Sequence, residues 1–259
     1  MSMPLINPAY LQSVLRRLLE TPSPSGMTDA VVRLVCDMLD ELGISYQLTR
    51  RGAIRAIIPG SRPSPKRAVA SHLDTLGAMV KALKPNGRVS LAPIGFWTSR
   101  FAESERVTIY SDFGNIRGTV LPLKASGHTF NKEIDTQPVD WSQLEVRLDE
   151  RVSNVSELMR LGVRVGDTVA FDTRTEFGPN GFINSRYLDD KAGVASVLAA
   201  AEAILRHGQP LPLDVLLLFT ISEEVGVGAS HVLHGGDVSE LISVDNGTVA
   251  EGQNTSEYG

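Results

Sequence analysis

The chain predicts an α/β fold: a mixed sheet flanked by helices, with a small β-rich domain inserted into it. Three observations carry this. Two amphipathic helical patterns fall before residue 43. The run Val215-Leu216-Leu217-Leu218-Phe219 is strand-sized and apolar throughout, as strands buried on both faces tend to be. Between them helical periodicity fades, and short β-like runs alternate with Gly, Pro and polar turns. The reading divides the chain into an α/β domain of residues 1–75 and 178–259 and an inserted β-rich domain of residues 76–177.

Each element follows from its residues. Asn7 before Pro8 is a helix start, an N-cap side chain followed by Pro at the first helical position. Leu11, Val14, Leu15, Leu18 and Leu19 mark its apolar face. Thr21-Pro22-Ser23-Pro24-Ser25-Gly26 breaks the chain. A second helix carries Val31, Leu34, Val35, Met38, Leu39 and Leu42 on one side, and Gly43 ends it. Strands are expected at 45–49, 53–58 and 67–71, the last running into His72. In the insertion, β-like runs lie at 107–110, 118–121, 145–148 and 168–171. Its most turn-rich parts are 84–87 and 124–140, the latter expected as a mobile loop. An alanine-rich helix at 190–206 follows, then a buried strand at 212–220, a Gly-rich loop with a short helix, and a strand at 241–244.

Composition narrows the function classes. With 259 residues and 42% hydrophobic content, the chain can bury a substantial core. A formal net charge of −5 argues against nucleic acid as a partner, since phosphate binders carry a basic footprint. Cys36 is the only cysteine, so no disulfide forms within the chain, and a reduced, cytoplasmic setting fits. The N-terminus reads as a charged amphipathic helix and not as a secretory signal. No apolar run approaches the roughly 18 residues of a membrane span.

The chemistry lies at the ends of the apolar runs. His72 and Asp74 follow the 67–71 strand. Glu223 and Glu224 follow the 212–220 strand. Asp245 ends the 241–244 strand, and Asp189 and Asp190 open the long helix. In open α/β sheets ligands bind outside the carboxyl ends of the strands. One His with several carboxylates there is the ligand chemistry of a hydrolytic divalent-metal site. A carboxylate must bridge two ions, and another, free of metal, must move the proton. Adjacent glutamates offer one residue for each task. Asp74 can hold the other ring nitrogen of His72. A turn, a cap or a solvated surface explains each of these segments taken singly; their order and shared position favour a site.

These segments resemble the dinuclear-metal aminopeptidases that include glutamyl, deblocking and tetrahedral aminopeptidases. The resemblance rests on Ser23-Pro24-Ser25-Gly26, Ser71-His72-Leu73-Asp74-Thr75-Leu76-Gly77, Ser185-Arg186-Tyr187-Leu188-Asp189-Asp190-Lys191-Ala192-Gly193, Ser222-Glu223-Glu224-Val225-Gly226 and Val244-Asp245. It spans essentially the whole chain and implies a zinc-exopeptidase-like catalytic domain. By position it implies that His72 and Asp245 bind metal and that Asp189 bridges two ions. Asp189 is preferred to Asp190 because it stands four residues before Gly193, as the family's bridging Asp does. Glu223 is then the general base, Glu224 a ligand of the second metal, and Asp74 the support of His72. The resemblance also implies two divalent ions, zinc or cobalt, short peptide substrates, and a homo-oligomer up to a dodecamer built through the inserted domain.

Two departures stand out. The family reads Asp-Glu after its His-Leu or His-Met, whereas Thr75 follows Asp74 here. The family's second metal-binding His falls tens of residues beyond the position of Asp245, so the expectation is a fragment lacking that ligand. The remaining histidines are His128, His207, His231 and His234; the last two stand at helical spacing and read as surface or core residues rather than chelators. The leading expectation is an aminopeptidase that uses a metal-activated water and the base Glu223. The alternatives are a metal-dependent deacylase of a small N-acylated peptide, or a homologue that keeps the fold without the activity.

Overall fold

A computed structural model describes residues 3–233 and 238–247. Helix α1 (Pro8–Leu19) begins as its sequence directs, with the Asn7 side chain accepting from the backbone N–H groups of Ala9 and Tyr10. Helix α2 (Asp29–Glu41) ends at Leu42, and Gly43 takes the left-handed conformation, φ 69°, that closes the turn. Strands β1 (Ser45–Leu48), β2 (Ile54–Ile58) and β3 (Lys66–His72) follow.

The chain then leaves this layer. Strands β4 (Gly77–Leu83), β5 (Val89–Ile94), β6 (Arg106–Ser111) and β7 (Gly114–Pro122) lead to a short helix α3 (Gly127–Phe130) and strand β8 (Leu144–Leu148). Helix α4 (Val155–Arg160) and strand β9 (Thr168–Phe171) come next. The six strands close into a barrel in the order β4-β5-β8-β7-β6-β9. Val80, Val89, Val107, Ile109, Val120, Val146 and Val169 fill its interior.

Three features of this stretch differ from the sequence expectation. Strands β4 and β5 are additional, because Lys84-Pro85-Asn86-Gly87 is their hairpin turn rather than an isolated loop, with Lys84 N–H donating to the Arg88 carbonyl. Helix α4 is additional too; it is too short to show a period, and its signal is the Asn154 cap, which accepts from Glu157 N–H at 3.0 Å. The expected loop at 124–140 holds α3 and the helical turn Asn131–Glu133, and Lys124 N–H donates to the Gln137 side chain.

A two-stranded ribbon of β10 (Glu176–Phe177) and β11 (Ile183–Asn184) brings the chain back to helix α5 (Leu188–His207). Strands β12 (Val215–Thr220) and β13 (Val238–Ser243) complete a mixed sheet in the order β1-β2-β12-β3-β13. Strands β12 and β13 both pair with β3 in parallel, while β2 is antiparallel to β12 and to β1. Alternation along β12 serves two cores. Leu217 and Phe219 face α1, α2 and α5, while Leu216 and Leu218 join Ala68, Ala70 and Val232 on the opposite face. The short helix expected before β13 is seen as the helical turn Ala229–His231; His234 lies outside the described residues. No described helix is long and apolar enough to cross a membrane.

Candidate metal centre

The parallel strands β3, β12 and β13 run their carboxyl ends to one edge of the sheet. Their pairing aligns Thr220 with His72 and Ser243 with Ala70. The segments that follow carry Asp74, Glu223 with Glu224, and Asp245. Helix α5 enters the same edge from the barrel side. All seven residues singled out from the sequence therefore meet at one place.

His72 is almost wholly buried, and both ring nitrogens are engaged. Nδ1 lies 2.8 Å from the Asp74 carbonyl oxygen, an acceptor, so that nitrogen carries hydrogen. This turns Nε2 to the carboxylates: it stands 2.9 Å from Asp189 Oδ1 and 3.7 Å from Glu223 Oε2. Burial opposes a charged ring, but the carboxylates of Asp189 and Asp74 outweigh it and push His72 up to about 11. Carboxylates far outnumber bases here, the balance of a cation site.

Asp74 is fully buried and organises the edge. Its Oδ2 accepts from Ser25 Oγ at 2.5 Å and from Glu224 N–H at 3.3 Å. Its Oδ1 accepts from Glu223 N–H at 3.1 Å. Burial works against its ionisation, but the bonds from His72, Ser25 and Glu223 hold its carboxyl below the usual range. Glu224 accepts from Leu76 N–H through Oε1 at 3.1 Å. Burial and the neighbouring Asp189 charge raise its carboxyl to about 7.

The two adjacent aspartates differ sharply. Asp190 is buried, and its Oδ2 accepts from Ser71 Oγ at 2.6 Å and from His72 N–H at 3.0 Å. Burial raises its carboxyl to about 6. Asp189 is partly exposed, with Oδ1 on the imidazole and Oδ2 2.9 Å from the Asn246 amide nitrogen in that amide's satisfied orientation. The sequence places both at the start of a helix; in the structure they precede its regular part. Asp189 has ψ 111° and Asp190 φ −112°, so neither occupies a helical first turn. Their side chains turn to β3 and to the site.

The donor chemistry suits a divalent ion. His72, Asp190 and Asp245 each offer an atom within 4.8 Å of the others, and Asp189 lies directly on the imidazole. With a cation in place of its Nε2 proton, the imidazole with carboxylate oxygens fits zinc, cobalt or manganese. Among the other histidines, exposed His231 faces its own neighbour Ser230, and exposed His128 and half-buried His207 lie outside the centre. Sequence reasoning missed several supports: Ser71, Ser25, Asn246 and Lys191. Lys191 is completely buried, and its Nζ donates to the carbonyls of Leu18 at 2.8 Å and Thr21 at 2.6 Å, where α1 ends. Burial lowers it to about 7. Serines read as turn formers in sequence, and nothing local to Lys191 points to the distant carbonyls of Leu18 and Thr21.

Comparison with known proteins places this arrangement. The profile of the M42 glutamyl aminopeptidase family matches residues 52–259. YhfE of Bacillus subtilis, classed with the aminopeptidases, is 35% identical over 246 residues, covering 95% of this chain and 70% of its own length. The TET aminopeptidase from a Thaumarchaeota archaeon superposes with a TM-score of 0.84 at 21% identity, covering 95% of this chain and 68% of its own. The TET1 peptidase of Pyrococcus horikoshii, which assembles into a tetrahedron or a large octahedral shell, gives 0.78 at 19% identity, covering 91% and 68%. These two likenesses establish the fold. The chain thus spans about 70% of the length of YhfE. It belongs to the M42 glutamyl aminopeptidase family, a family of metal-dependent aminopeptidases.

Proposed function

We propose that the chain supplies metal ligands and the general base of a dinuclear aminopeptidase that removes N-terminal residues from short peptides. The observation that carries this is the gathering of His72 Nε2, Asp189 and Glu223 at one sheet edge, with Asp74 holding the far nitrogen of the imidazole. His72 and Asp245 would hold one ion, Glu224 the other, and Asp189 would bridge them. Asp189 suits the bridge because Asp190 already spends an oxygen on Ser71 and the His72 amide. Two divalent ions, zinc or cobalt, would supply Lewis acidity, lowering the pKa of a water and polarising the scissile carbonyl.

The chain's own residues do the rest. Glu223 is exposed and its side chain accepts no hydrogen bond from the described residues, so it is free to accept the proton of the attacking water. It takes that proton as the new C–O bond forms and passes it to the leaving nitrogen as the C–N bond breaks. The carboxylates around it also suit a free α-amine on the substrate. Asp74 sets the imidazole and the Glu223 backbone in place.

We assign residues 1–75 and 178–259 to the catalytic domain, and residues 76–177 to an inserted domain that mediates substrate access and homo-oligomer contacts, up to a dodecamer. The assembly of the TET1 relative supports this. The lone, buried Cys36 supports a cytoplasmic setting.

The test combines metal analysis with a variant. Metal-reconstituted protein should hold close to two ions per intact protein. Glu223→Gln should keep them while losing hydrolysis of a free-amine dipeptide. Full activity in that variant removes Glu223 as base. Faster turnover of the acetylated dipeptide than of the free one replaces the aminopeptidase reading with a deacylase.

A further inference from the structure

The Ser-Pro-Ser turn before α2 plays no part in the mechanism above, yet it is bolted to the site. Residues 23–25 run alongside the segment that follows His72. Ser25 N–H donates to the Thr75 carbonyl at 3.2 Å, and Thr75 N–H donates to the Ser23 carbonyl at 2.9 Å. Between these bonds both serine side chains turn inward. Ser23 Oγ donates to the Leu73 carbonyl at 2.7 Å, and Ser25 Oγ donates to Asp74 Oδ2 at 2.5 Å. Ser23 is completely buried and Ser25 nearly so.

The other sides of the turn are fixed as well. Pro24 packs so closely on Gly77 that a Cβ there would stand 2.7 Å from the Pro24 Cβ. Lys191 ties the start of the turn to α5 through the Thr21 carbonyl. The turn therefore connects the segment after β3, the entry of α5 and the end of α1.

Asp74 carries this constraint further. Its carboxylate accepts the backbone N–H groups of both Glu223 and Glu224. Ser25 provides the one hydroxyl among the described donors to that carboxylate. A hydroxyl at 2.5 Å is a charge-assisted bond, roughly twice as strong as a neutral one.

We propose that Ser25 is a positioning residue for the Glu223–Glu224 turn: by fixing the Asp74 carboxylate it sets the backbone from which the base is presented. The role of Glu223 as base belongs to the function proposed above. The connection from Ser25 through Asp74 to the two amides is independent of it.

The experiment uses the full chain, metal-loaded, with Ser25→Ala and Ser25→Cys. The cysteine keeps the shape with a weaker donor, and answers the question if the alanine variant does not fold. Amide hydrogen exchange at Glu223 and Glu224 should quicken about tenfold in either variant, the low end for losing a hydrogen bond to a charged acceptor. Exchange in the β8 strand of the barrel should stay as in the parent. On a free-amine dipeptide, kcat should fall about tenfold with KM within about twofold, because orientation and not ground-state binding is lost. Unchanged exchange at Glu223 and Glu224 overturns the proposal, as does quickening spread equally to β8. If the parent hydrolyses no peptide while Ser25→Ala still frees the two amides, the positioning stands and the base assignment falls.

Discussion

Gly193 is the sharpest structural test of the site. It lies in α5, where alanine is the better helix former by about 1 kcal/mol. A Cβ at this position would stand 2.0 Å from Asp190 Oδ1 and 2.7 Å from its Cγ. A flexible carboxylate would ordinarily swing aside. This one is buried and held by Ser71 Oγ and His72 N–H. Hydrogen bonds to a charged group contribute about 1.5–3 kcal/mol each, so displacing the carboxylate costs about 3–6. After the gain in helix propensity, Gly193→Ala should destabilise by about 2–5 kcal/mol. Equilibrium urea unfolding of chelator-treated protein measures this without a contribution from metal binding. The same substitution made in an Asp190→Ala background meets no carboxylate, and should there be neutral or stabilising by up to about 1 kcal/mol. Equal effects in the two backgrounds, within about 0.5 kcal/mol, refute the reasoning, as does a Gly193→Ala protein more stable than its parent.

The other expectations are brief. Gly60→Ala would bring a Cβ to 2.2 Å from the Leu213 carbonyl carbon, and should cost about 1–3 kcal/mol by thermal unfolding, since backbone must move. Buried Glu145 is opposed by burial, yet Lys84 and Arg88 hold its carboxyl below its usual range. Its pKa is depressed on folding, so its stabilisation is present above the ordinary value of 4.5 and fades as pH falls through the folded value. Glu145→Gln should therefore lower stability at pH 7 and flatten the acid limb of a stability–pH curve; an unchanged limb counts against the pairing. Chelation should lower the melting temperature of the reconstituted protein, and zinc or cobalt should restore it; a curve indifferent to both removes the metal centre.

Much of this was legible in the chain. The Asn7 cap, the Gly43 stop and the burial of β12 on both faces follow from local rules that tertiary context left intact. The polar residues at strand ends were legible for a related reason. A charged side chain after an apolar run has nowhere to go but the sheet edge, and parallel strands bring their edges together. The barrel was read less fully. Its strands β4 and β5 are joined by a turn signal that the sequence shares with ordinary loops, and closure depends on pairing between β4 and β9, far apart in the chain.

By itself the sequence determined the layer architecture, the family and the gathering of His72, Asp74, Asp189, Glu223, Glu224 and Asp245 at strand ends and a helix start, because periodicity and residue type are local properties. Only the tertiary structure decided how those residues are held. It buried Asp190 on Ser71 and the His72 amide, left Asp189 on the imidazole, and tied Ser25 to Asp74 and Lys191 to the end of α1. Those roles are fixed by hydrogen bonds across long stretches of chain, as from Ser25 to Asp74 and from Ser71 to Asp190, and no local pattern can encode a partner that distant.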